Sequence, residues 1–233
     1  MVVGSGQIAN IFNKAVFDDT VIFASGVSNS NCTDIREFQR EKNLLNLYIK
    51  KFPEKKIVYF SSCALSAEEY EKNIYYQHKE NMEDFIFSHS KEYIIFRVPQ
   101  LFGSLMQHST LINFLYSKLI KEEKFTVYTK AYRYVIFIDD LFTLSMYFIQ
   151  KHKNLIIDIA NPYKYSIYEI ISAIEKITKK KAIYQIVEKE DQYDLDVSQL
   201  NMYLRQDNIN VDFGKDYLYK KLQIAKMRSD LTS

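Results

Sequence analysis

Runs of consecutive apolar residues recur along the chain and alternate with stretches that have helical spacing. The runs that predict strands are Val21–Ala24, Ile57–Phe60, Tyr93–Phe96, Tyr134–Ile138, Leu155–Ile159 and Ala182–Val187. The stretches that predict helices are about Asp34 to Lys51, Tyr75–Ser88, the residues from Asp140 onward, and Ile167–Thr178. Continuous apolar runs indicate strands buried on both faces. The alternation therefore predicts an α/β fold, a doubly wound parallel sheet with helices on both sides.

The predicted strands end in small or polar residues, and in parallel sheets ligands bind beyond the carboxyl ends of the strands. These strand ends are Gly4-Ser5-Gly6, Ser25-Gly26, Ser61-Ser62, Pro99-Gln100 and Asp139-Asp140. Small side chains there would let a ligand approach the backbone closely.

The first strand end has the GxGxxA pattern, Gly4-Ser5-Gly6-Gln7-Ile8-Ala9, in a chain with only 5 glycines. Such a turn lets backbone N–H groups approach a pyrophosphate at the start of a helix. The alternative is a tight turn without a ligand. We interpret the pattern as a phosphate-binding turn.

The spacing Tyr-x-x-x-Lys occurs three times, at Tyr75/Lys79, Tyr147/Lys151 and Tyr217/Lys221. The spacing places a phenol and an ammonium on one helix face. A neighbouring ammonium lowers a phenol pKa, so that the tyrosine can exchange a proton with a carbinol oxygen. Of the three pairs, Tyr75/Lys79 follows a strand ending in serine, and Ser62 could bind the same oxygen. The alternative for Ser62 is a turn or helix cap.

Composition narrows the class of protein. The 233 residues carry a net charge of +2 with 26% charged and 47% hydrophobic residues, as in an ordinary globular domain. No basic surplus points to nucleic acid, and no apolar run is long enough to span a membrane. With no signal-like N-terminus and only Cys32 and Cys63, we expect a reduced, cytoplasmic protein without a structural metal. His78, His89, His108 and His152 are scattered, and we expect them at the surface.

Several further segments, in order, extend the pattern to most of the chain. They are Asp19–Gly26, Asn43-Leu44-Leu45, Tyr59–Ser62, Phe96–Gly103, Arg133–Asp140 and Ile159–Pro162 with Ser166–Ile170. Together with the glycine turn and Tyr75/Lys79, they resemble the extended short-chain dehydrogenase/reductase family, and within it the nucleotide-sugar epimerases, dehydratases and ketoreductases.

The resemblance implies NAD or NADP as cofactor and a nucleotide-diphosphate sugar as substrate, and it leaves a homodimer possible. It implies catalytic roles for Ser62, Tyr75 and Lys79, with Lys79 lowering the pKa of Tyr75 and orienting the cofactor ribose. Cofactor-binding positions would be Gly4, Ser5, Gly6, Gln7, Ile8, Ser25, Gly26, Asn43 and Pro99. Substrate-binding positions would be Ser66, Gln100 and Arg133, the arginine holding the diphosphate.

The chain also departs from the family. Asp19 follows Gly6 by only thirteen positions, whereas a βαβ unit needs about 30 residues. The family's second and third strands, and the acidic residue that would bind the adenosine ribose, are therefore expected to be missing. Ser66 stands where the family often has tyrosine. We expect the first strand to form a sheet edge and cofactor binding to be weak or atypical.

These observations predict a Rossmann-like cofactor and catalytic core over residues 1–100. A mixed substrate-binding region with returning core strands would follow over 101–233, in one compact unit. The function expected is an NAD(P)-dependent oxidoreductase or epimerase acting on a nucleotide sugar, in the synthesis of surface polysaccharide precursors, with reduction slightly favoured over epimerisation. The alternative is a non-catalytic binding or regulatory protein on a degenerate dehydrogenase fold.

Overall fold

The computed structural model describes residues 1–105 and 110–231. The strands are β1 (Val2–Val3), β2 (Thr20–Phe23), β3 (Lys56–Ser62), β4 (Tyr93–Val98), β5 (Gln100–Phe102), β6 (Phe125–Arg133), β7 (Val135–Phe137), β8 (Leu155–Asp158), β9 (Tyr165–Ser166) and β10 (Tyr184–Asp191). The helices are α1 (Gln7–Phe12), α2 (Ile35–Lys51), α3 (Ile74–His89), α4 (Leu111–Ile120), α5 (Ile138–Lys151), α6 (Ile167–Thr178), α7 (Ser198–Gln206) and α8 (Tyr217–Asp230).

The described residues pack into two compact units. The first consists of Met1–Val98 and Ile138–Ile159, and the second of Pro99–Phe137 with the chain from Ala160 onward. The segment that returns to the first unit carries α5 and β8.

The first unit is built on a sheet of five parallel strands in the order β1-β2-β3-β4-β8. The parallel α/β fold predicted from the apolar runs, which the family resemblance describes as Rossmann-like, is therefore confirmed. Among the described residues, β1 pairs only with β2 and forms one edge of the sheet, as expected from the short connection after Gly6.

Helices α2 and α3 begin at side-chain caps, and each buries one face. The carboxylate of Asp34 accepts the Arg36 N–H at the start of α2, and the Asn73 side chain accepts the Tyr76 N–H at the start of α3. Such caps satisfy N–H groups that have no partner within the helix. The buried residues of α2 and α3 recur every three or four positions, so each helix presents one face to the protein interior.

The second unit contains two small sheets. One has three strands in the order β10-β6-β9, and the other pairs β5 with β7. Helix α6 begins at a capping box in which Ser166 and Glu169 exchange hydrogen bonds.

Two of the predicted strands are present, but they do not belong to the parallel sheet in which they were predicted. The runs Tyr134–Ile138 and Ala182–Val187 correspond to β7 and β10, which lie outside the parallel five-stranded sheet. An apolar run indicates that a strand is buried but does not identify the strands that lie beside it. Most of β10 is in fact exposed, with Ile186 and Val187 at the surface. His108 lies outside the described residues.

Within the described ranges, no helix combines the length and apolar character needed to cross a membrane. The same ranges hold no group of three or more histidine, cysteine and acidic side chains placed to bind a metal ion.

Candidate functional site

One face of α3 carries the residues from which the candidate site is built. Tyr75, Lys79 and Glu83 are spaced four residues apart and are all buried, because this spacing keeps side chains on one side of a helix. The Lys79 Nζ lies 5.8 Å from the centre of the Tyr75 ring. The structure thus brings together the predicted phenol and ammonium.

The ammonium of Lys79 is paired inside the protein with the carboxylate of Glu41 on α2. Nζ donates to Glu41 Oε1 at 3.0 Å and to the Tyr59 hydroxyl at 2.9 Å. Tyr59 in turn donates to Glu41 Oε1 at 2.5 Å. Lys79 is 2% exposed and Glu41 0%. This ion pair is therefore screened from water on all sides.

The second oxygen of Glu41 binds two more donors. Oε2 accepts the Val27 N–H at 2.7 Å and faces His78 Nε2 at 3.0 Å. The four groups around Glu41 match the number of hydrogen bonds a carboxylate can accept. We name Glu41, Tyr59, His78, Lys79 and the Val27 N–H the Glu41 network.

The network explains the ionisation of Glu41. Burial alone would raise the pKa of Glu41, but the Lys79 charge and the hydrogen bonds from His78, Tyr59 and Val27 outweigh it and lower the pKa to about 2. Burial and the Glu41 charge raise the pKa of Tyr59 well above its usual value. Glu41 is thus ionised and Tyr59 is a neutral donor at neutral pH.

Tyr75 lies in an apolar environment beside this network. Its side chain is 7% exposed and packs with Val27, Phe38, Cys32 and Tyr76. Burial is the main cause that raises the pKa of Tyr75, and the neighbouring Tyr76, Glu41 and Cys32 add to the effect. The Tyr75 phenol therefore stays protonated at neutral pH.

Ser62 ends β3 and caps the 3₁₀ turn Cys63–Leu65, where its side chain accepts the Ala64 N–H at 3.4 Å. The capping alternative raised from the sequence thus describes one contact of Ser62. The preceding Ser61 is buried, and its Oγ has no hydrogen-bond partner among the described residues.

A second polar cluster lies at the ends of β3, β4 and β8. Arg97 donates from Nε and Nη2 to the Glu83 carboxylate, the shortest contact being 2.6 Å, and from Nη1 to Ser66 Oγ at 3.0 Å. Ser66 donates to Asp158 Oδ2 at 2.6 Å. Burial raises the pKa of Asp158, although Ser66, Cys63 and Arg97 favour its charged form. Ser66, a predicted substrate ligand, is therefore bound to this cluster.

The glycine turn Gly4-Ser5-Gly6 is exposed, with Gln7 and Ile8 half-buried behind it. Gly4 has φ +130°, and a Cβ there would lie 2.4 Å from the Ala24 carbonyl oxygen. A Cβ on Gly6 would meet no atom within 4 Å. The backbone of this turn is therefore open to a ligand, which fits a pyrophosphate.

The other predicted cofactor positions of the first unit have protein partners. Arg40 donates from Nη1 to the carbonyl and hydroxyl oxygens of Ser25, at 3.2 and 3.3 Å. Asn43 is exposed on α2 and accepts from Gln39. Gly26 lies against the Glu41 network, since a Cβ there would be 2.8 Å from Lys79 Nζ.

The predicted positions of the second unit are described by themselves. Pro99 and Gln100 are half-buried at β5, where the Gln100 N–H donates to Tyr134. Arg133 donates to the backbone carbonyls of Tyr132 and Asp191 and forms an ion pair with the Asp191 carboxylate at 2.5 Å.

Sequence reasoning missed the partners of Lys79. The expectation that His78 lies at the surface is wrong. The His78 ring faces Glu41 and stacks on Phe38, with 4.5 Å between the two ring centres. A signal was present for Glu41, which shares the helical spacing of the buried residues Phe38, Leu45 and Ile49. A charge within an apolar stripe indicates a buried, paired group.

Neither a family model nor a curated protein sequence matches the chain.

Solved structures do match over most of the chain. UDP-glucose 4-epimerase of Thermus thermophilus, solved with NAD, is 12% identical with a TM-score of 0.70, covering 95% of this chain and 81% of its own. dTDP-glucose 4,6-dehydratase of Bacillus anthracis, also with NAD, is 13% identical with a TM-score of 0.72, covering 97% and 79%. UDP-glucuronic acid 4-epimerase of Bacillus cereus is 16% identical with a TM-score of 0.73, covering 98% and 79%. The chain therefore has the Rossmann-like fold of these nucleotide-sugar epimerases and dehydratases.

Proposed function

We propose that the protein binds an NAD-type dinucleotide and a nucleotide-activated sugar and acts on the sugar as an oxidoreductase or epimerase. The observation that carries the proposal is that Lys79 Nζ lies 5.8 Å from the centre of the Tyr75 ring on the buried side of α3. This pair occurs in a fold whose solved relatives include epimerases and a dehydratase with NAD bound. The proposed setting is the synthesis of surface polysaccharide precursors, which rests on the resemblance alone.

In this proposal Tyr75 exchanges a proton with the reacting oxygen of the sugar. Burial raises the pKa of Tyr75, so the phenol carries the proton that it would donate to a carbonyl oxygen, although the raised pKa makes it a weaker acid than an exposed tyrosine. Ser62 would assist, since a hydroxyl that accepts the Ala64 N–H still carries a proton to donate. A bound nicotinamide would supply or accept the hydride. Reduction needs only these donors and a hydride, whereas epimerisation also needs freedom for the substrate to turn, which favours a reductase over an epimerase.

The glycine turn would hold the pyrophosphate of the dinucleotide. The space beyond Gly6 is open, and exposed backbone N–H groups are good partners for phosphate. The sheet begins at the edge strand β1, so nothing on the far side of β1 extends the sheet within the described residues. We therefore expect weak or atypical dinucleotide binding.

Binding titrations with NAD, NADP and several nucleotide sugars, followed by product analysis, test the proposal. Tyr75→Phe should lower turnover by about 10²- to 10⁴-fold with little change in folding. Tyr147→Phe, from a second Tyr-x-x-x-Lys pair on α5, is the matched control and should leave turnover unchanged. Gly6→Ala should keep the fold but weaken dinucleotide binding, because its methyl group would occupy the open side of the turn.

The second candidate is a non-catalytic binding or regulatory protein. The Glu41–Lys79 pair favours it, because the ammonium that the family resemblance assigns to a cofactor ribose is engaged inside the protein. Binding of a nucleotide sugar without dinucleotide binding or turnover would support this candidate. Turnover that depends on Tyr75 would exclude it.

A further inference from the structure

In the Glu41 network, protein groups enclose the Lys79 ammonium almost completely, and the proposed function does not require this. Two hydrogen bonds join Lys79 Nζ to Glu41 and Tyr59, and the ammonium also lies over the Tyr59 ring, 4.9 Å from its centre. At 2% exposure, Nζ has almost no surface that a ligand could reach. Contact with a bound molecule would therefore require the residues around the ammonium to move.

Gly26 closes the remaining approach to the ammonium. The residue lies so close that a Cβ would be 2.8 Å from Lys79 Nζ and 2.9 Å from Glu41 Oε1. The adjacent Val27 N–H is fixed to Glu41 Oε2 at 2.7 Å. The chain that follows β2 is thus held against the ion pair by the carboxylate that neutralises it.

Energetics favour keeping this arrangement. Removing one partner of a buried ion pair leaves an uncompensated charge, which is far more costly than removing both partners. Two of the three N–H groups of the ammonium bind Glu41 and Tyr59, and at 2% exposure a ligand hydroxyl would reach the third only by displacing the residues that cover it. Moving the lysine toward a ligand would leave Glu41 buried without its counter-ion, which is unfavourable.

We propose that Glu41 and Lys79 form a structural ion pair that holds the chain after β2 in place, and that Lys79 is not a ligand of the cofactor. The inference deepens the proposed function and rests on it for the cofactor. It predicts that a dinucleotide is bound without the lysine.

A double-mutant cycle tests the assignment in the full chain. Lys79→Met and Glu41→Gln should each raise the unfolding equilibrium constant on the order of 10²- to 10³-fold, measured by urea unfolding. The double variant E41Q/K79M should recover most of that loss, because neither charge is left alone. Lys151→Met, the exposed lysine of the pair on α5, is the matched control and should have little effect.

The second readout is the affinity for NAD, NADH and NADP, measured by calorimetry on the double variant, which avoids the poor folding of the single ones. Affinities within about threefold of the unchanged protein support the assignment. A loss of tenfold or more in a stable double variant would overturn it, because Lys79 would then contact the cofactor.

The cycle separates this inference from the proposed function. If no dinucleotide binds to the unchanged protein, the proposed function fails, and strong coupling between Glu41 and Lys79 in stability still supports the structural role. If the single substitutions are additive in the double variant, the structural role is wrong whatever binds.

Discussion

Gly26 lies within contact distance of the Lys79 ammonium, and no side chain larger than hydrogen fits between them. A Cβ at residue 26 would be 2.8 Å from Nζ and 2.9 Å from Glu41 Oε1. Both atoms are the ends of side chains, but their mutual hydrogen bonds restrict where they can move. A small residue at this strand end therefore follows from the ion pair beneath it.

Gly26→Ala should destabilise the protein, because the added methyl group forces the Glu41 network to shift. Overpacking of this kind costs about 1–3 kcal/mol, which urea unfolding would detect. The matched control is Gly6→Ala, where a Cβ meets no atom within 4 Å and φ is −78°. Because Gly6 is the N-cap of α1 and alanine is a poorer cap than glycine, the control should cost about 0.5–1 kcal/mol, less than Gly26→Ala. Equal effects of the two substitutions would contradict the contact.

Gly4→Ala should destabilise the protein more than Gly214→Ala, although both glycines have positive φ. Gly4 has φ +130°, and its Cβ would lie 2.4 Å from a backbone oxygen that cannot rotate away. Gly214 has φ +137° with no atom within 4 Å, so Gly214→Ala measures backbone strain alone. Strain costs on the order of 1–3 kcal/mol, and the clash adds to it at Gly4 only. Thermal unfolding of the two variants gives the difference.

Much of the first unit could be predicted from the sequence, since its strands are continuous apolar runs and its helices have clear stripes. Asp34 was expected to begin a helix and caps α2, and the prediction of a helix over Ile167–Thr178 is confirmed at both ends. The prediction of β1 as an edge strand followed from chain length, because thirteen residues cannot hold another βαβ unit.

The contacts of the candidate site could not be predicted in the same way. The spacing of Tyr75 and Lys79 fixes their shared helix face but does not identify the partner that α2 supplies. Glu41 is 38 residues from Lys79 in the chain, and their pairing depends on how two helices pack on β3. Likewise β6 and α8 carry mixed polar and apolar residues, and their positions depend on tertiary packing.

Stability should fall in acid in a window set by Glu41. Its pKa is lowered from 4.5 to about 2 in the folded protein, so the unfolded chain takes up the proton first as the pH falls. The stabilisation is complete above about pH 5 and lost toward pH 2, on the order of 3 kcal/mol. Urea unfolding across this range should show a smaller pH dependence in E41Q/K79M. An unchanged dependence in the double variant would show that other carboxylates cause the loss.

The two cysteines should differ in reactivity toward a thiol reagent. Cys63 is fully buried, and burial together with the Asp158 charge raises the pKa of its thiol well above the usual value. Cys32 is half-buried beside Tyr75. Because the thiolate is the reactive form, Cys32 should react quickly in the folded protein, and Cys63 should react only on unfolding. Cys32→Ser should abolish the fast phase, and Cys63→Ser should leave it; the reverse pattern would contradict the burial of Cys63.

Arg97→Lys should destabilise the first unit although it keeps the positive charge. The guanidinium of Arg97 binds Glu83 through two nitrogens and Ser66 through the third, with Glu83 only 6% exposed. An ammonium cannot reproduce this fork, so the acceptors on Glu83 and Ser66 lose hydrogen bonds. We expect this loss to lower the free energy of unfolding by about 1–3 kcal/mol. Arg36→Lys is the matched control, because Arg36 makes a similar fork to Asp34 while 90% exposed. Exposed ion pairs contribute little, so the control should unfold at the same urea concentration as the unchanged protein. Equal stability of both variants would show that the Arg97 fork does not support the ends of β3 and β4.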